Sequence, residues 1–188
     1  VGSRRNASAI AKSVLPLIKR IHASRPIDLI DAQFFYPDGP AAAWIASQLD
    51  LPLSIKARGA DISMWGGFDF AREQILEAAE RATGLLAVSE DLREQMAALG
   101  MPRHKITIHY TGLDRDRFRP LHHVGLRGQL ASELGFPLSN DHPLLVCVGA
   151  LIERKGQDIA IGALASIPQA RLILVGTGED ESHLRQFA

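Results

Sequence analysis

Hydrophobic residues along this chain follow two periods, and the two alternate. Short apolar runs, typical of strands, are separated by longer segments in which apolar residues recur every three or four positions, as they do in helices. The predicted strands span residues 28–32, 53–57, 84–88, 105–109, 144–148 and 171–175. The predicted helices span residues 10–21, 38–48, 70–82, 89–100, 125–134, 157–165 and 179–187.

The alternation of strands with helices predicts the α/β class with parallel sheets. A polar, proline-containing stretch interrupts it, so we expect two Rossmann-like, doubly wound parallel-sheet units. The expected boundaries are a first domain at residues 1–118, an interdomain linker at 119–142 and the first part of a second domain at 143–188.

Both predicted units are short of strands. The second has two, at residues 144–148 and 171–175, and the first opens on a helix. A two-stranded parallel sheet cannot bury both of its faces. We therefore expect the chain to be a piece of a larger protein, incomplete at both ends, or to borrow strands from a partner. Unpaired sheet edges also predict self-association.

Composition narrows the function classes. The 188 residues include 21 basic and 21 acidic ones, and a chain without net charge lacks the basic face that nucleic-acid binding requires. No apolar run approaches the roughly 20 residues that span a bilayer. Cys147 is the single cysteine, so no internal disulfide can form. A reducing, cytoplasmic location is expected. The alternative is peripheral binding at the inner face of the membrane.

The stretch "LLVCVGALIERKGQDIA" predicts a phosphate site. A buried strand ends at Gly149, a loop carries Arg154 and Lys155, and a helix begins near Gly156. Ligands of open α/β sheets lie at the carboxyl ends of strands, and helix N-termini favour anions. A diphosphate suits this arrangement. The alternative is that both cations are solvated loop residues.

A second candidate is "LILVGTGED", in which Gly176 and Gly178 follow a predicted strand. Closely spaced glycines let a ligand approach the backbone. The incomplete G-x-G-x-x-G pattern and the acidic residues that follow disfavour a dinucleotide site. A nicotinamide-dependent oxidoreductase is therefore the weakest of the hypotheses.

Longer segments resemble a known family. "VGALIERKGQDIAIGALASIPQARLILVGTGEDESHLR" is similar to the start of the nucleotide-sugar domain of the retaining family 4 (group 1) glycosyltransferases. "DLIDAQFFYPDGPAAAWIASQLDLPLSIKARGADI" and "LLAVSEDLREQMAALGMPRHKITIHYTGLDRDRFRP" are similar to two segments of their acceptor domain. The matches occur in the family's order and cover most of the chain.

The resemblance implies a B-type (GT-B) fold, in which two Rossmann-like domains face each other across a cleft. It implies a nucleotide-diphosphate sugar as donor, bound by the second domain, and a sugar, lipid or small-molecule acceptor, bound by the first. The glycine-rich first loop would precede Val1 and the donor-binding glutamate pair would follow Ala188. These 188 residues alone are therefore expected to be inactive.

The resemblance also implies roles for single residues. Gly149, Arg154 and Lys155 would bind the donor diphosphate, and Gly176 and Gly178 would line the donor cleft. The acceptor side would be formed by Asp38, Gly39, Arg58 and Asp61, although turn and cap roles explain Asp38 and Gly39 equally well.

Three positions depart from the family pattern. Ala150 stands where an arginine is common, so the diphosphate clamp would rest on Lys155. Thr111 replaces an asparagine. Arg58 replaces the family's histidine, and it is the candidate catalytic residue. Because arginine stays protonated it cannot act as a general base, but it could hold an anionic acceptor or developing phosphate charge.

No metal or cofactor is expected. Asp114-Arg115-Asp116 spells the D-x-D of metal-dependent transferases, but it lies at the interdomain entry of a family that generally uses no metal. His122 and His123 are adjacent, without a third ligand at a zinc spacing. The favoured function is sugar transfer with retention of anomeric configuration. The alternative is a non-catalytic remnant that binds a nucleotide or a partner chain.

Overall fold

The computed structural model describes residues 2–121 and 125–188. The chain divides into two compact units, Val1–Arg115 (unit 1) and Asp116–Ala188 (unit 2). The expected linker at residues 119–142 is not wholly irregular, because it contains the helix predicted at 125–134, which groups with unit 2. His122 and His123 lie outside the described residues.

Unit 1 is built on one parallel sheet. Its strands pair in chain order: β1 (Ile30–Ala32), β2 (Leu53–Ala57), β3 (Gly84–Ala87) and β4 (Ile106–Ile108). Its helices are α1 (Gly2–Ser24), α2 (Asp38–Leu49), α3 (Ala60–Ser63), α4 (Asp69–Arg81) and α5 (Glu90–Leu99). Short 3-10 turns occupy Trp65–Gly67 and Arg103–Lys105.

The core of unit 1 lies on one face of the sheet. Parallel strands that are added in chain order through right-handed crossovers place every connecting helix on the same side. Accordingly, Ile55 and Leu85 from the sheet share one buried cluster with Ile75 of α4 and Met96 of α5. Asp31 and Thr107 lie on the opposite face, and both are exposed.

Helix α5 is capped at both ends. The Ser89 hydroxyl accepts a hydrogen bond from the Leu92 N–H at 3.1 Å, and Gly100 ends the helix with a φ of 112°. A left-handed residue after a helix favours glycine. The first of these caps also fixes the direction in which the chain leaves the carboxyl end of β3.

Helix α1 begins earlier than its apolar spacing predicts, and it is held by small residues. Ala7 and Ala11 pack against Ala41 and Ile45 of α2. Three of the apolar residues that define the helical spacing are instead largely exposed: Ile10 at 37%, Leu17 at 49% and Ile21 at 44%. The fully buried part of this contact is therefore formed by alanines of α1, with Val14 and Ile18 partly buried beside them.

Unit 2 contains one two-stranded parallel sheet among its described residues. Strand β5 (Leu144–Val148) pairs with β6 (Arg171–Val175) in register, which confirms the predicted pairing. The helices are α6 (Leu126–Leu134), α7 (Gln157–Ala163) and α8 (Glu181–Phe187). The sheet exposes large apolar surfaces, including Val146 at 55% and Val148 at 75%. Self-association through these surfaces stays a prediction.

Among residues 2–121 and 125–188, the structure contains no helix that is both long and apolar enough to cross a membrane.

Candidate functional site

The carboxyl edge of the sheet in unit 2 is formed by two loops packed backbone against backbone. The Gly149 N–H donates to the Val175 carbonyl at 2.9 Å, and the Leu151 N–H donates to the Thr177 carbonyl at 3.0 Å. The Asp180 N–H donates a hydrogen bond to the Leu151 carbonyl at 3.1 Å. The parallel register of the strands therefore continues into the loops that follow them.

This packing explains Gly176 and Gly178. A Cβ atom at Gly176 would lie 1.9 Å from the Gly149 carbonyl oxygen, and one at Gly178 would lie 2.1 Å from that of Leu151. Both glycines are thus required by the neighbouring backbone, whether or not a ligand is present. The Cβ position of Gly149 instead faces open space. The expectation that Gly176 and Gly178 line a donor cleft remains a prediction.

Two exposed cations follow this edge. Arg154 and Lys155 lie in a 3-10 turn, Glu153–Lys155, that ends on Gly156 in the left-handed conformation with a φ of 65°. Neither side chain forms a hydrogen bond or ion pair with any residue of 2–121 and 125–188. The turn itself is fixed, because the buried Gln157 side chain donates to the Ala150 carbonyl at 2.9 Å.

A cleft of about 250 Å³ lies beside the turn, but its lining does not suit a diphosphate. It is lined by Ile152, Glu153, Gln157, Asp158, Asp180, His183 and Leu184. Three carboxylates would repel an anion at this distance. This cleft is therefore not the predicted diphosphate site.

In unit 1, one buried carboxylate organises the edge of the sheet. Asp61 is 0% exposed, and its oxygens accept N–H groups of Phe35 at 2.8 Å, Arg58 at 2.9 Å and Gly59 at 2.8 Å. Gly59 has a φ of 122°, which favours glycine. Asp61 therefore ties the loop after β1 to the loop after β2.

Arg58 projects from this anchored loop and is exposed. Its Nε donates to the Gln33 carbonyl at 3.3 Å, and its Nη2 donates to the Gln33 side-chain oxygen at 3.2 Å. Gln33 follows β1 directly, and nothing in its sequence context distinguishes it from an ordinary surface glutamine. The structure thus joins the ends of two strands through a residue that sequence analysis missed.

Asp38 and Gly39 begin α2 on the same side of the molecule as Asp61. Gly39 is buried, and a Cβ atom there would lie 3.5 Å from the Ile55 side chain, an ordinary contact distance. Partial burial, and then repulsion from the Asp61 carboxylate, raise the pKa of Asp38 above its ordinary value of 3.8. The roles of both residues on the acceptor side stay predictions.

The raised pKa of Asp38 predicts a pH effect on stability. The folded state binds the proton more tightly than the unfolded state, so this group's contribution to stability falls as pH rises from about 3.8 through the raised pKa. In Asp38→Asn this loss should be absent. The difference in melting temperature, variant minus native, should therefore increase with pH across that window in scanning calorimetry. A difference independent of pH would contradict the assignment.

Sequence analysis also missed Lys56 and His109, whose side chains meet at 3.2 Å, Nζ to Nδ1. The signal was present, because Lys56 interrupts the apolar strand "LSIKA" and His109 follows the strand "ITI". Among residues 2–121 and 125–188, no group of three or more histidine, cysteine or acidic residues is arranged to hold a metal ion.

With this geometry in place, comparisons with known proteins identify the family. The model of "Glycosyltransferase Family 4" matches residues 2–117, which is more than half of the chain. The chain belongs to glycosyltransferase family 4. The matched residues include Asp38, Gly39, Arg58 and Asp61 on the edge of unit 1, whereas the loop at Gly149 lies beyond them.

Curated relatives of this family 4 chain extend the match into unit 2. The Bacillus subtilis protein TuaC, named as a teichuronic acid biosynthesis glycosyltransferase, is 31% identical over 167 residues, which cover 85% of this chain and 40% of TuaC. A Mycobacterium tuberculosis mannosyltransferase, named as GDP-mannose-dependent and acting on phosphatidylinositol monomannoside, is 30% identical over 128 residues, 66% of this chain and 32% of that protein.

Solved structures agree on the fold. Anabaena Alr3699/HepE, crystallised with UDP, has a TM-score of 0.74 at 21% identity over 92% of this chain and 46% of its own. A second HepE structure, with UDP-glucose, gives 0.72 at 23% identity over 91% of this chain and 47% of its own. At these identities the likeness establishes the GT-B fold. The family 4 chain spans less than half the length of the relatives and neighbours it matches.

Proposed function

We propose that the protein to which this chain belongs transfers a sugar from a nucleotide-diphosphate donor to an acceptor with retention of anomeric configuration. Membership of glycosyltransferase family 4, through residues 2–117, is the observation that carries the proposal. The names of the relatives support it, since one depends on GDP-mannose, and HepE was crystallised with UDP and with UDP-glucose.

Unit 2 supplies the donor side in this proposal. Lys155 is an exposed cation without a partner among the described residues, and the Cβ position of Gly149, at the end of β5, faces open space. When the bond from sugar to diphosphate breaks, negative charge grows on the leaving diphosphate. A fixed cation lowers the energy of that state. Lys155 would provide this charge, and Arg154 would assist from the same turn.

Unit 1 supplies the acceptor side. Arg58 is exposed at the carboxyl edge of the sheet, where open α/β sheets bind ligands, and Gln33 orients it. Because its guanidinium stays charged, Arg58 would bind an anion and would not remove a proton. Asp61 is fully buried, so its role would be to position the Arg58 loop.

The proposal also covers the cofactor requirement and the location of the protein. The reaction would need no metal or cofactor, since cationic side chains would supply the positive charge. The protein would act in the cytoplasm. If its acceptor is a lipid, it would bind at the inner surface of the membrane.

Nucleotide binding tests the donor side. In titration with UDP of the protein extended to the length of its relatives, followed by calorimetry or amide NMR shifts, Lys155→Ala should weaken binding by roughly 1.5–3 kcal/mol, the scale of a charge-assisted hydrogen bond. Arg154→Ala should cost less. Lys19→Ala is the matched control, because Lys19 is an exposed lysine on α1 in the other unit. Unchanged affinity in Lys155→Ala would move the donor site elsewhere.

Turnover separates the two functional hypotheses. A protein that binds UDP through Lys155 and transfers sugar from a UDP- or GDP-sugar supports the enzyme. Binding without transfer, in a protein extended to the length of its relatives, would favour the non-catalytic alternative.

A further inference from the structure

A lysine is buried on the face of the first sheet that lies opposite the hydrophobic core. Lys56 is 5% exposed, and it occupies the fourth position of β2. Its neighbours Ile55 and Ala57 belong to the core. Because successive side chains of a strand alternate between faces, Lys56 lies on the other face. It shares that face with Asp31, since Asp31 pairs in register with Ser54.

The charge of Lys56 has no counter-ion among residues 2–121 and 125–188. Its one hydrogen-bond partner there is Nδ1 of His109, at 3.2 Å, and it forms no ion pair with a carboxylate. An ammonium has three donors and no acceptor. Two N–H donors of Lys56 therefore have no partner within the part of the chain that the structure describes. Burying a cation without an opposite charge is unfavourable, so an anion at this place would be bound strongly.

The nearby carboxylates are already engaged. Asp31 accepts hydrogen bonds from the Ser54 hydroxyl and the Gln33 amide. Asp61 accepts three backbone N–H groups. Neither carboxylate forms an ion pair with Lys56.

A second donor lies at the same place. Because Lys56 is the donor to Nδ1 of His109, Nε2 is the remaining nitrogen of that ring, and it has no partner among residues 2–121 and 125–188. Arg58 lies two positions after Lys56, but its guanidinium is held by Gln33 after β1, whereas Lys56 reaches to His109 after β4. His109 is exposed, which gives a ligand access to the buried ammonium.

We propose that Lys56 and His109 together bind the anionic group of the acceptor, a phosphate or a carboxylate. The inference rests on the proposed function, because it takes the carboxyl edge of unit 1 as the acceptor side. It adds the substrate class: an acceptor that carries a negative charge near the hydroxyl group to be glycosylated.

Histidine ring NMR in the 188-residue chain tests this site. Titration with glucose 6-phosphate or glucuronate should shift the His109 ring signals saturably, whereas glucose should not. The anion that binds with the higher affinity indicates whether the acceptor carries a phosphate or a carboxylate. Saturable binding of either anion supports the proposal. His104, exposed in the same unit, should not shift and reports unspecific ionic effects.

Two variants sharpen the test. Lys56→Met should weaken anion binding at least tenfold while the chain stays folded, because replacing a buried charge by an apolar side chain of similar length is often neutral or stabilising. His109→Gln, at an exposed position, should also weaken it and serves if Lys56→Met fails to fold. Lys19→Met removes an exposed charge elsewhere and should have no effect.

The donor and acceptor proposals can fail separately. UDP binding followed at the Gly149 amide should survive Lys56→Met, and glucose 6-phosphate binding at His109 should survive Lys155→Ala. The acceptor-site proposal is overturned by any of three results: equal shifts with glucose, equal shifts at His104, or unchanged anion affinity in both Lys56→Met and His109→Gln.

Discussion

Replacing Asp61 by alanine is expected to lower the free energy of unfolding of unit 1 by about 3–5 kcal/mol. The carboxylate is fully buried and accepts N–H groups from Phe35, Arg58 and Gly59. Without it these donors lose their acceptor in a region with little access to water, and each unsatisfied donor costs about 1–3 kcal/mol. The loops after β1 and β2 would also lose the group that joins them.

Urea unfolding followed by circular dichroism measures this effect. Asp69→Ala is the control, because Asp69 is an exposed aspartate that pairs with Arg72 on α4 at 2.8 Å, with its side chain 84% exposed. Such surface pairs contribute about 0–1 kcal/mol. Similar losses in Asp61→Ala and Asp69→Ala would show that Asp61 does not organise the edge of the sheet.

The second large effect is expected at Gly178. In Gly178→Ala the new methyl group would meet the Leu151 carbonyl oxygen at 2.1 Å, a distance that no rotation of a side chain can relieve because both atoms belong to backbone-anchored groups. The two loops would have to separate, which breaks the bonds from Leu151 to Thr177 and from Asp180 to Leu151. We expect a loss of about 3 kcal/mol or more in unit 2.

Amide hydrogen exchange resolves this change within the chain. Protection of the Leu151 and Asp180 amides should fall sharply in Gly178→Ala, whereas the amides of unit 1 should keep theirs. Gly149→Ala is the matched control, because a Cβ atom at Gly149 meets nothing within 4 Å. Retained protection in Gly178→Ala would show that the two loops are not packed as the structure has them.

The strands could be predicted from sequence because their signal is local. Runs such as "LSIKA" and "LLVCV" are bounded by turn residues, and the predicted limits of the second, fifth and sixth strands agree with Leu53–Ala57, Leu144–Val148 and Arg171–Val175. Helix ends were less well predicted. Residues 2–9 precede the apolar repeat of α1, and α3 has four residues, too few to show a period.

Some assignments depended on contacts between distant residues. Gly176 and Gly178 were interpreted as places where a ligand approaches the backbone, and the structure gives another reason, the carbonyl groups of Gly149 and Leu151. Lys56 and His109 are 53 residues apart in the chain, so no local pattern could pair them. The donor and acceptor roles of the candidate residues remain to be tested by the titrations described above.

The sequence by itself determined the order of strands and helices and the family, and it predicted a phosphate site at the loop of Gly149. These features are encoded by periodicity and motif spacing over short stretches. Only the tertiary structure decided that the core lies on one face of the first sheet and that Asp61 is buried as an anchor. It also decided that the buried ammonium of Lys56 on the opposite face has no counter-ion among residues 2–121 and 125–188. Each of these features depends on the register in which separate strands pair. That register brings distant residues into contact, and the sequence around one of them does not reveal the other.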